Sequence, residues 1–268
     1  MLARMASKVN NFGDTPMLVA CFNGHLSVCE WLFKMGATED ISKANHRGFT
    51  PMHMACQNGH LSVCEWLYKV GATEDISKAN NNGDTPMIMA CNNGHLSVCE
   101  WLFKIGATED ISKANNNGDT PMNIACGMGH LSVCEWLFKI GATEDISKAN
   151  HRGVTPMSYA CQNGHLSVCE WLFKMGATED ISKANNNGDT PMIMACNNGH
   201  LSVCEWLYKV GATEDISKAN NKGYTPMFVA CDKGHLSVCE WLYKVGATED
   251  ISKAENEGHT PLAIACMK

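Results

Sequence analysis

Apolar residues recur at helical spacing in the segment from Leu61 to Lys69. Leu61, Cys64 and Leu67 follow one another at intervals of three residues. Residues three and four apart lie on one face of a helix, so this pattern predicts an amphipathic helix over the segment. Gly71, which follows shortly after, is typical of a helix end.

A shorter helix is predicted immediately before this one. Thr50 is a favourable N-cap, and Pro51 fits the first helical position, where its missing N–H leaves no intrahelical bond unmade. Gly59 then ends the helix after about two turns. Because only Gly59 and His60 separate the two helices, they are expected to pack as antiparallel neighbours. Neither helix is able to bury its apolar side alone.

This helix pair is encoded repeatedly at a fixed step of 35 residues. The string GHLSVCEWL has its histidine at His25, His60, His95, His130, His165, His200 and His235. Thr-Pro pairs with the same step begin at Thr15, Thr50, Thr85, Thr120, Thr155, Thr190, Thr225 and Thr260. Such a period is typical of stacked equivalent units and not of a conventional globular domain. We therefore predict a single all-helical repeat domain over 1–268, with a lead-in at 1–9, seven full repeats at 10–254 and a truncated eighth repeat at 255–268.

The repeat pattern GxTPMxxACxxGHLSVCEWLxKxGA resembles the ankyrin repeat, whose family pattern is GxTPLHxAAxxGHxxVVxxLLxxGA, and the resemblance covers essentially the whole chain. The resemblance implies an all-α, ankyrin-type solenoid of stacked antiparallel helix pairs with projecting turns. It also implies a concave face, formed by the turn tips and the first helices, that binds other proteins.

Two features depart from the family pattern. The family's histidine after Thr-Pro-Leu appears only as His53, so a hydrogen-bond network built on it is not expected in most repeats. The repeat also exceeds the family's usual length of about 33 residues, and the surplus falls in the segment GATEDISKAN. Within that segment, Thr73 is a candidate cap for a short helical turn from Glu74 to Ser77, because two acidic residues stand at its start.

Differences between the repeats are concentrated in the turn before Thr-Pro and in the first helix. A helix turns by about 100° per residue, so Met52, Ala55 and Cys56 are expected to face the stack. The positions expected to face away are those of His53, Met54, Gln57 and Asn58. The residues equivalent to Met54 are apolar in every repeat, which favours packing between repeats for that position.

The freely varying positions are candidate partner-binding residues. The candidates are Phe12, Asp14, Phe22, His46, Arg47, Phe49, Gln57, Asp84, Asn92, Asp119, His151, Arg152, Val154, Gln162, Asp189, Asn197, Lys222, Tyr224, Asp232 and Lys233. For any single position, neutral variation at an exposed site explains the differences as well as contact does. The confinement of the whole set to one face favours contact with a partner.

The charge distribution narrows the class of partner. The formal net charge is −7, and each of the seven full repeats supplies −1 through Glu65, Lys69, Glu74, Asp75 and Lys78 or their equivalents. The remaining charges cancel, so the varied surface is neutral overall but locally mixed. Nucleic-acid binding needs clustered Lys and Arg, which this chain lacks, whereas mixed polar and aromatic contacts suit a protein partner.

Every full repeat contains a Cys-x3-His-x3-Cys pattern, as in Cys56, His60 and Cys64, which suggests a metal site. However, both cysteines fall at apolar core positions, and structural zinc usually needs four convergent ligands. Buried thiols and a turn histidine bonded to the backbone are the favoured interpretation. We assign no metal and no cofactor.

Catalysis is also not predicted. A catalytic Cys–His pair is expected once, in an asymmetric pocket, and not in every repeat. No glycine-rich phosphate loop of the Walker or dinucleotide type is present in the sequence. The seven tryptophans each precede an apolar residue by four positions, as Trp66 precedes Val70, which favours a packing ladder between repeats over a stacking platform for bases or sugars. The chain is predicted not to be an enzyme.

The sequence contains no uninterrupted run of about 18 apolar residues, and Arg4 and Lys8 interrupt its first residues, so neither a membrane-spanning helix nor a secretory signal is expected. The 15 cysteines favour a reducing compartment, the cytoplasm or the nucleus.

A second interpretation is a structural or designed array without a dedicated partner. The repeats are nearly identical and have no obviously polar cap, and the truncated eighth repeat has no second helix. Open apolar ends of this kind are expected to associate end to end.

Overall fold

The computed structural model describes residues 8–266, which form fifteen α-helices and no strand. Each repeat contributes a first helix and a second helix, as predicted. The first helices are Pro16–Phe22, Pro51–Gln57, Pro86–Asn92, Pro121–Gly127, Pro156–Gln162, Pro191–Asn197, Pro226–Lys233 and Pro261–Cys266. The second helices are Leu26–Lys34, Leu61–Lys69, Leu96–Lys104, Leu131–Lys139, Leu166–Lys174, Leu201–Lys209 and Leu236–Lys244. Residues 1–7 of the predicted lead-in, including Arg4, and residues 267–268 of the eighth repeat lie outside the described range.

The ends of the helices follow from the capping residues. The Thr50 hydroxyl oxygen accepts the backbone N–H of His53 at 3.4 Å, and Pro51 occupies the first helical position. The first helix of this repeat ends at Gln57, and Gly59 then adopts a φ of 73°, a left-handed conformation that glycine adopts without strain.

The segment after each second helix forms a short 3₁₀ helix, which confirms the predicted helical turn. These turns are Glu39–Ile41, Glu74–Ile76, Glu109–Ile111, Glu144–Ser147, Glu179–Ser182, Glu214–Ile216 and Glu249–Ser252. The predicted capping role of Thr73 is wrong, because Thr73 itself has helical backbone angles and its side chain makes no capping hydrogen bond. Asp75 is instead buried beneath the turn, with Lys78 Nζ 3.6 Å from its Oδ1. Burial raises the pKa of Asp75.

The chain divides into two compact units. One contains the residues up to Ala125 together with Ser132–Thr143, and the other contains Cys126–Leu131 together with the residues from Glu144 onward. Within the first unit, the first helices of repeats one to three pack side by side in order, and so do their second helices. Within the second unit, the first helices of repeats five to eight and the second helices of repeats five to seven pack in the same way. Each unit therefore consists of stacked helix pairs, as the resemblance implies.

Residues that recur in every full repeat form the core between these stacked helices. Met52, Ala55 and Cys56 on the first helix, with Cys64 and Leu67 on the second, have no exposed surface. Full burial of a side chain such as Leu or Met stabilises a fold by about 1.5–3 kcal/mol. The expected stack-facing side of the first helix is confirmed.

The expectation that the position of His53 faces away from the stack is wrong. His53 is fully buried, because the turn of the next repeat covers it: His53 Nε2–H donates to the Asp84 carbonyl at 3.2 Å. Its Nδ1 accepts the Thr50 N–H at 3.2 Å, and Asn123 Oδ1 accepts the Thr120 N–H at 3.0 Å in the same way. The other buried residues at this position are Leu18, Ile88, Ser158, Ile193 and Phe228.

Gly-His pairs also connect neighbouring repeats, as Gly59 and His95 show. His95 Nε2–H donates to the Gln57 carbonyl at the end of the preceding first helix, at 3.1 Å. The His95 ring lies against Gly59 so closely that a Cβ on Gly59 would be 2.5 Å from His95 Nδ1. Gly59 is therefore required both for its backbone conformation and for space. The predicted backbone contact of the turn histidine is confirmed, and its acceptor lies one repeat earlier.

The tryptophans form the predicted packing ladder. In the first unit, the rings of Tyr68 and Trp101 meet edge to face with centroids 6.1 Å apart, and those of Phe33 and Trp66 meet in the same way at 5.9 Å. In the second unit, the ring centroids of Tyr208 and Trp241 lie 6.0 Å apart, and the two ring planes meet at 90°. Aromatic pairs in this geometry contribute about 0.5–1.5 kcal/mol beyond the area they bury.

We predict that Gly59→Ala destabilises the fold more than Gly234→Ala. The two glycines have nearly equal φ angles, 73° and 74°, but a Cβ at Gly234 meets no atom within 4 Å. Both variants carry the left-handed strain of about 1–2 kcal/mol, and Gly59→Ala adds a clash worth about 1–3 kcal/mol. Urea unfolding measures the difference, and His95→Ala in the Gly59→Ala background should recover part of it. Equal losses in the two variants would show that the His95 ring moves aside freely.

We also predict that His53 makes the fold sensitive to acid. Burial lowers the pKa of His53 from 6.5 to about 4. The unfolded chain therefore takes up this proton at a higher pH than the folded chain, and about 3 kcal/mol of stability, present above pH 6.5, is lost as the pH falls toward 4. His53→Asn, which places the residue of Asn123 at this position, should lack this loss. The test is to measure the free energy of unfolding of the unmodified chain and of His53→Asn at about pH 7 and about pH 4. An equal loss of unfolding free energy in the two chains would contradict the prediction.

Candidate protein-interaction surface

The side chain of an asparagine closes the turn tip of most repeats. In the second repeat, Asn45 Oδ1 accepts the N–H groups of Arg47 and Phe49, both at 3.0 Å. The Asn45 N–H donates to the Phe49 carbonyl at 3.0 Å, and Gly48 has a φ of 81°. Asparagine and glycine favour such turns because the first bonds backbone two residues on and the second adopts positive φ freely. His46 and Arg47 are thereby displayed at the tip of a defined turn.

Hydrogen bonds join the tips of neighbouring repeats. In the first unit, the Asn81 N–H donates to the Arg47 carbonyl at 3.1 Å, and Asn81 Nδ2 donates to the His46 carbonyl at 3.0 Å. In the second unit, the Asn186 N–H donates to the Arg152 carbonyl at 3.0 Å. Within each unit the tips are consequently held in register, so their side chains are presented on a preformed surface.

Three of the candidate aspartates hold neighbouring tips together. Asp14 Oδ1 accepts Asn45 Nδ2 at 2.8 Å, and Asp84 Oδ1 accepts Asn115 Nδ2 at 2.8 Å. Asp189 Oδ1 accepts an asparagine amide of the next repeat in the same way, at 2.7 Å. Their carboxylates thus have a structural role at the surface.

The structure sorts the sequence-predicted candidates by exposure. The exposed candidates are Phe12, Phe22, His46, Arg47, His151, Arg152, Lys222 and Lys233. The half-buried candidates are Asp14, Phe49, Gln57, Asp84, Asn92, Gln162, Asp189, Asn197, Tyr224 and Asp232. The expected exposure of Asp119 and Val154 is wrong, because each residue is only 4% exposed. These two residues are therefore not part of the exposed candidate surface.

An open cavity lies on the candidate surface of each unit. The cavity in the first unit has a volume of about 440 Å³. It is lined by Phe12, Asp14, Leu18, Val19, Phe22, Asn45, Arg47, Phe49, Met54 and Gln57. The cavity in the second unit has a volume of about 410 Å³. It is lined by Gln162, Asn187, Asp189, Ile193, Met194, Asn197, Asn198, Asn220, Asn221, Lys222, Tyr224 and Val229. The first cavity is thus rich in phenylalanine and the second in side-chain amides.

The cationic residues of the tips differ in their contacts. Arg152 Nη2–H donates to the Tyr159 hydroxyl at 2.8 Å. Lys222 Nζ lies 6.0 Å from the centre of the Tyr224 ring, and that ring stacks on Phe228 with centroids 4.7 Å apart. The same tip position therefore offers different chemistry in different repeats.

Two surface residues were missed by the sequence analysis. Met128 is 48% exposed and stands at the second varied position before Gly-His, where Lys233 had been chosen as a candidate. Val19 is 45% exposed and lines the cavity of the first unit, although its series was expected to pack between repeats. Variation at the second position before Gly-His was the sequence signal for Met128. Val19 carried no such signal, because its exposure depends on its place in the first repeat.

The cysteines form close thiol pairs within the repeats. Cys56 Sγ and Cys64 Sγ are 3.6 Å apart, and both residues are fully buried. Burial and the neighbouring thiol raise the pKa of Cys56. A thiol held in its neutral form is a poor nucleophile and a poor metal ligand, because both roles require the thiolate. Cys56 and Cys64 are therefore core residues, as the sequence indicated.

Among residues 8–266, the side chains that approach one another closely enough to suggest a metal site are Glu255, Glu257 and His259. Glu255 stands where the other repeats have asparagine, and its carboxylate accepts the N–H groups of Glu257 at 2.9 Å and His259 at 3.0 Å. These backbone N–H groups lower the pKa of Glu255. The carboxylate thus closes the turn as the asparagine amide does elsewhere, which accounts for the cluster without a metal.

Comparison with known protein families agrees with the architecture. A family model described as ankyrin repeats (3 copies) matches residues 2–78, 72–150, 109–184, 141–218, 175–255 and 212–268. No curated protein matches the chain. Within the described range, no helix has the length and apolar character needed to cross a membrane.

Proposed function

Since the chain belongs to the ankyrin repeat family, whose members generally act as protein-interaction modules, we propose that it binds a partner protein and has no catalytic activity of its own. The binding surface is the face formed by the turn tips and the first helices. Recognition depends on the exposed tip residues and on the cavities behind them. The compartment we propose is the cytoplasm or nucleus, where the closely spaced thiols remain reduced.

One observation carries this proposal: apart from the position of His53, the buried residues of the two helices are largely the same in every full repeat, whereas the exposed tips differ. Core positions such as Met52 and Leu67 recur because they are fully buried against neighbouring repeats. At the tips, by contrast, Phe12, Arg47 and Lys222 occupy equivalent positions and are all exposed. A surface that presents aromatic and cationic side chains on hydrogen-bonded turns is typical of protein-binding faces.

We expect loss of the distinctive tips to abolish partner capture without affecting the fold. The variant carries Phe12→Asn, Arg47→Asn, Arg152→Asn and Lys222→Asn, which gives the tip of every full repeat the residue that Asn82, Asn117 and Asn187 already provide. Because hot-spot residues at interfaces contribute about 2 kcal/mol or more each, capture should fall by at least about tenfold. Circular dichroism and the unfolding midpoint should not change.

The matched control removes charge from the opposite side of the repeats, through Lys69→Gln, Lys104→Gln and Lys174→Gln on the second helices, where all three lysines are exposed. Cross-linking followed by mass spectrometry identifies the captured protein, and titration with that purified protein gives the affinities of all three chains. Equal weakening by the tip and control variants would place the binding surface elsewhere. Failure of the unmodified chain to bind any purified candidate would remove the proposal.

Self-association is a second candidate function, favoured by exposed apolar side chains on the first and last full repeats. Trp31 is 58% exposed at one end, and Leu236 and Tyr243 are 68% and 55% exposed at the other. Light scattering should then show a mass that rises with protein concentration, and Trp31→Gln with Leu236→Gln should suppress the rise. A concentration-independent monomer mass would exclude this candidate.

A further inference from the structure

The cavity of the first unit combines an aromatic wall with a cationic residue that makes no salt bridge to any residue from 8 to 266. We propose that it is an anchor subsite, which takes one apolar side chain of an extended partner segment while the Arg47 guanidinium binds a carboxylate next to that side chain. The inference rests on the proposed protein-binding function and specifies the chemistry of the bound segment.

Three phenylalanines converge on this cavity from different parts of the repeat. Phe12 belongs to the first tip, Phe22 to the end of the first helix and Phe49 to the second tip. Phe12 is 63% exposed and Phe22 is 44% exposed. The position of Phe22 is polar in the next repeat, where Gln57 stands, so the scaffold does not require an aromatic residue there. The Phe49 ring packs edge to face on His53, with centroids 5.9 Å apart, and so is held at the wall of the cavity. The exposed surface of Phe12 and Phe22 at the same concave place indicates a binding site.

The size of the cavity fits a side chain of a partner. An apolar cavity of about 150 Å³ is large enough to hold benzene. The volume of about 440 Å³ here therefore accommodates an aromatic or branched aliphatic side chain together with part of the adjoining backbone. Val19 and Met54 complete the apolar wall, and the flexible methionine is able to adapt to different side chains.

The charged groups at the cavity favour an acidic segment over a basic one. Arg47 is exposed, and the salt bridges found between residues 8 and 266 do not include it. Asp14 also lines the cavity, but its Oδ1 accepts Asn45 Nδ2 at 2.8 Å and its Oδ2 accepts Asn10 Nδ2 at 2.9 Å. The carboxylate of Asp14 is thus already engaged, whereas the guanidinium keeps its planar set of donors for a bidentate carboxylate.

A second tip of nearly the same sequence provides an internal comparison. His46-Arg47-Gly48 recurs as His151-Arg152-Gly153, but Arg152 donates to the Tyr159 hydroxyl at 2.8 Å. In the first unit the position of Tyr159 is taken by Met54, which has no hydroxyl to offer. The two tips therefore differ in whether the guanidinium is occupied by the protein itself.

Three small probes that share a phenyl ring test the proposal: 3-phenylpropionate, 3-phenylpropionamide and 3-phenylpropylamine. Each is titrated into the full chain to millimolar concentration, and binding is followed by saturation-transfer and protein-detected NMR. We expect the carboxylate to bind about three- to tenfold more tightly than the amide, as suits a partly exposed charged hydrogen bond, and the amine to bind most weakly. Equal binding of all three, tighter binding of the amine, or no binding would each overturn the inference.

The variants again use residues from equivalent positions of other repeats, so the fold is preserved. Arg47→Asn should remove the preference for carboxylate over amide while keeping ring binding. Phe22→Gln with Phe49→Asp should weaken all three probes by at least about tenfold, since burial of the ring is lost. Arg152→Asn is the matched control and should change nothing.

The failure of this inference is distinguishable from failure of the proposed function. If a purified partner binds the tips but Arg47→Asn and the phenylalanine variant leave its affinity unchanged, the partner does not use this subsite and the inference falls alone. If no partner binds the tips, the proposed function fails, and the probe titrations still report whether the cavity selects an aromatic carboxylate.

Discussion

The contact between one helix pair and the next is the interaction on which the rest of this structure depends. The first helices are mostly seven residues long and the second helices nine. Isolated helices shorter than about 12–15 residues are marginal in water, so these helices are stable only when packed. Because each repeat covers the apolar side of the one before it, every internal repeat must present the same two faces. The uniformity of the sequence at Met52, Cys56 and Leu67 is the direct result.

Stacking also couples residues that are far apart in sequence. Gly59 leaves room for the ring of His95, and the Gln57 carbonyl at the end of the same helix accepts its Nε2–H. Tyr68 similarly meets Trp101 of the next repeat edge to face. A change in one repeat therefore has to suit its neighbour, and such coupled positions tolerate little variation. Exposed tip side chains such as Phe12, Arg47 and Lys222 are less constrained by this packing, and much of the diversity lies at their position.

Much of the fold could be predicted from sequence, because helix capping and apolar spacing are local signals. Thr50, Pro51 and Gly59 correctly indicated where the first helix begins and ends. The additional residues after the second helix correctly indicated a helical turn, which is the observed 3₁₀ helix. The position of His53 could not be placed by helical periodicity, since it is the next repeat's turn that buries it. Thr73 failed as a cap because a residue already in helical conformation cannot serve as the flanking cap residue. At the tips, Phe12, Arg47 and Lys222 are exposed as expected, whereas Val154 is buried although it stands in an equivalent turn.

The chemistry of the surface is set by pairs of positions and not by the tip residue alone. Arg47 and Arg152 stand in the same tip sequence, yet only Arg152 has a tyrosine hydroxyl within hydrogen-bond distance, at 2.8 Å. The difference arises from one position on the first helix behind the tip, which is Met54 in one repeat and Tyr159 in the other. A guanidinium that already donates to a tyrosine hydroxyl has one of its five N–H donors in use, so fewer remain for a partner's carboxylate. The exposed chemistry of a tip therefore depends on the residue behind it, and one substitution at that residue changes the donors that an unchanged tip sequence offers.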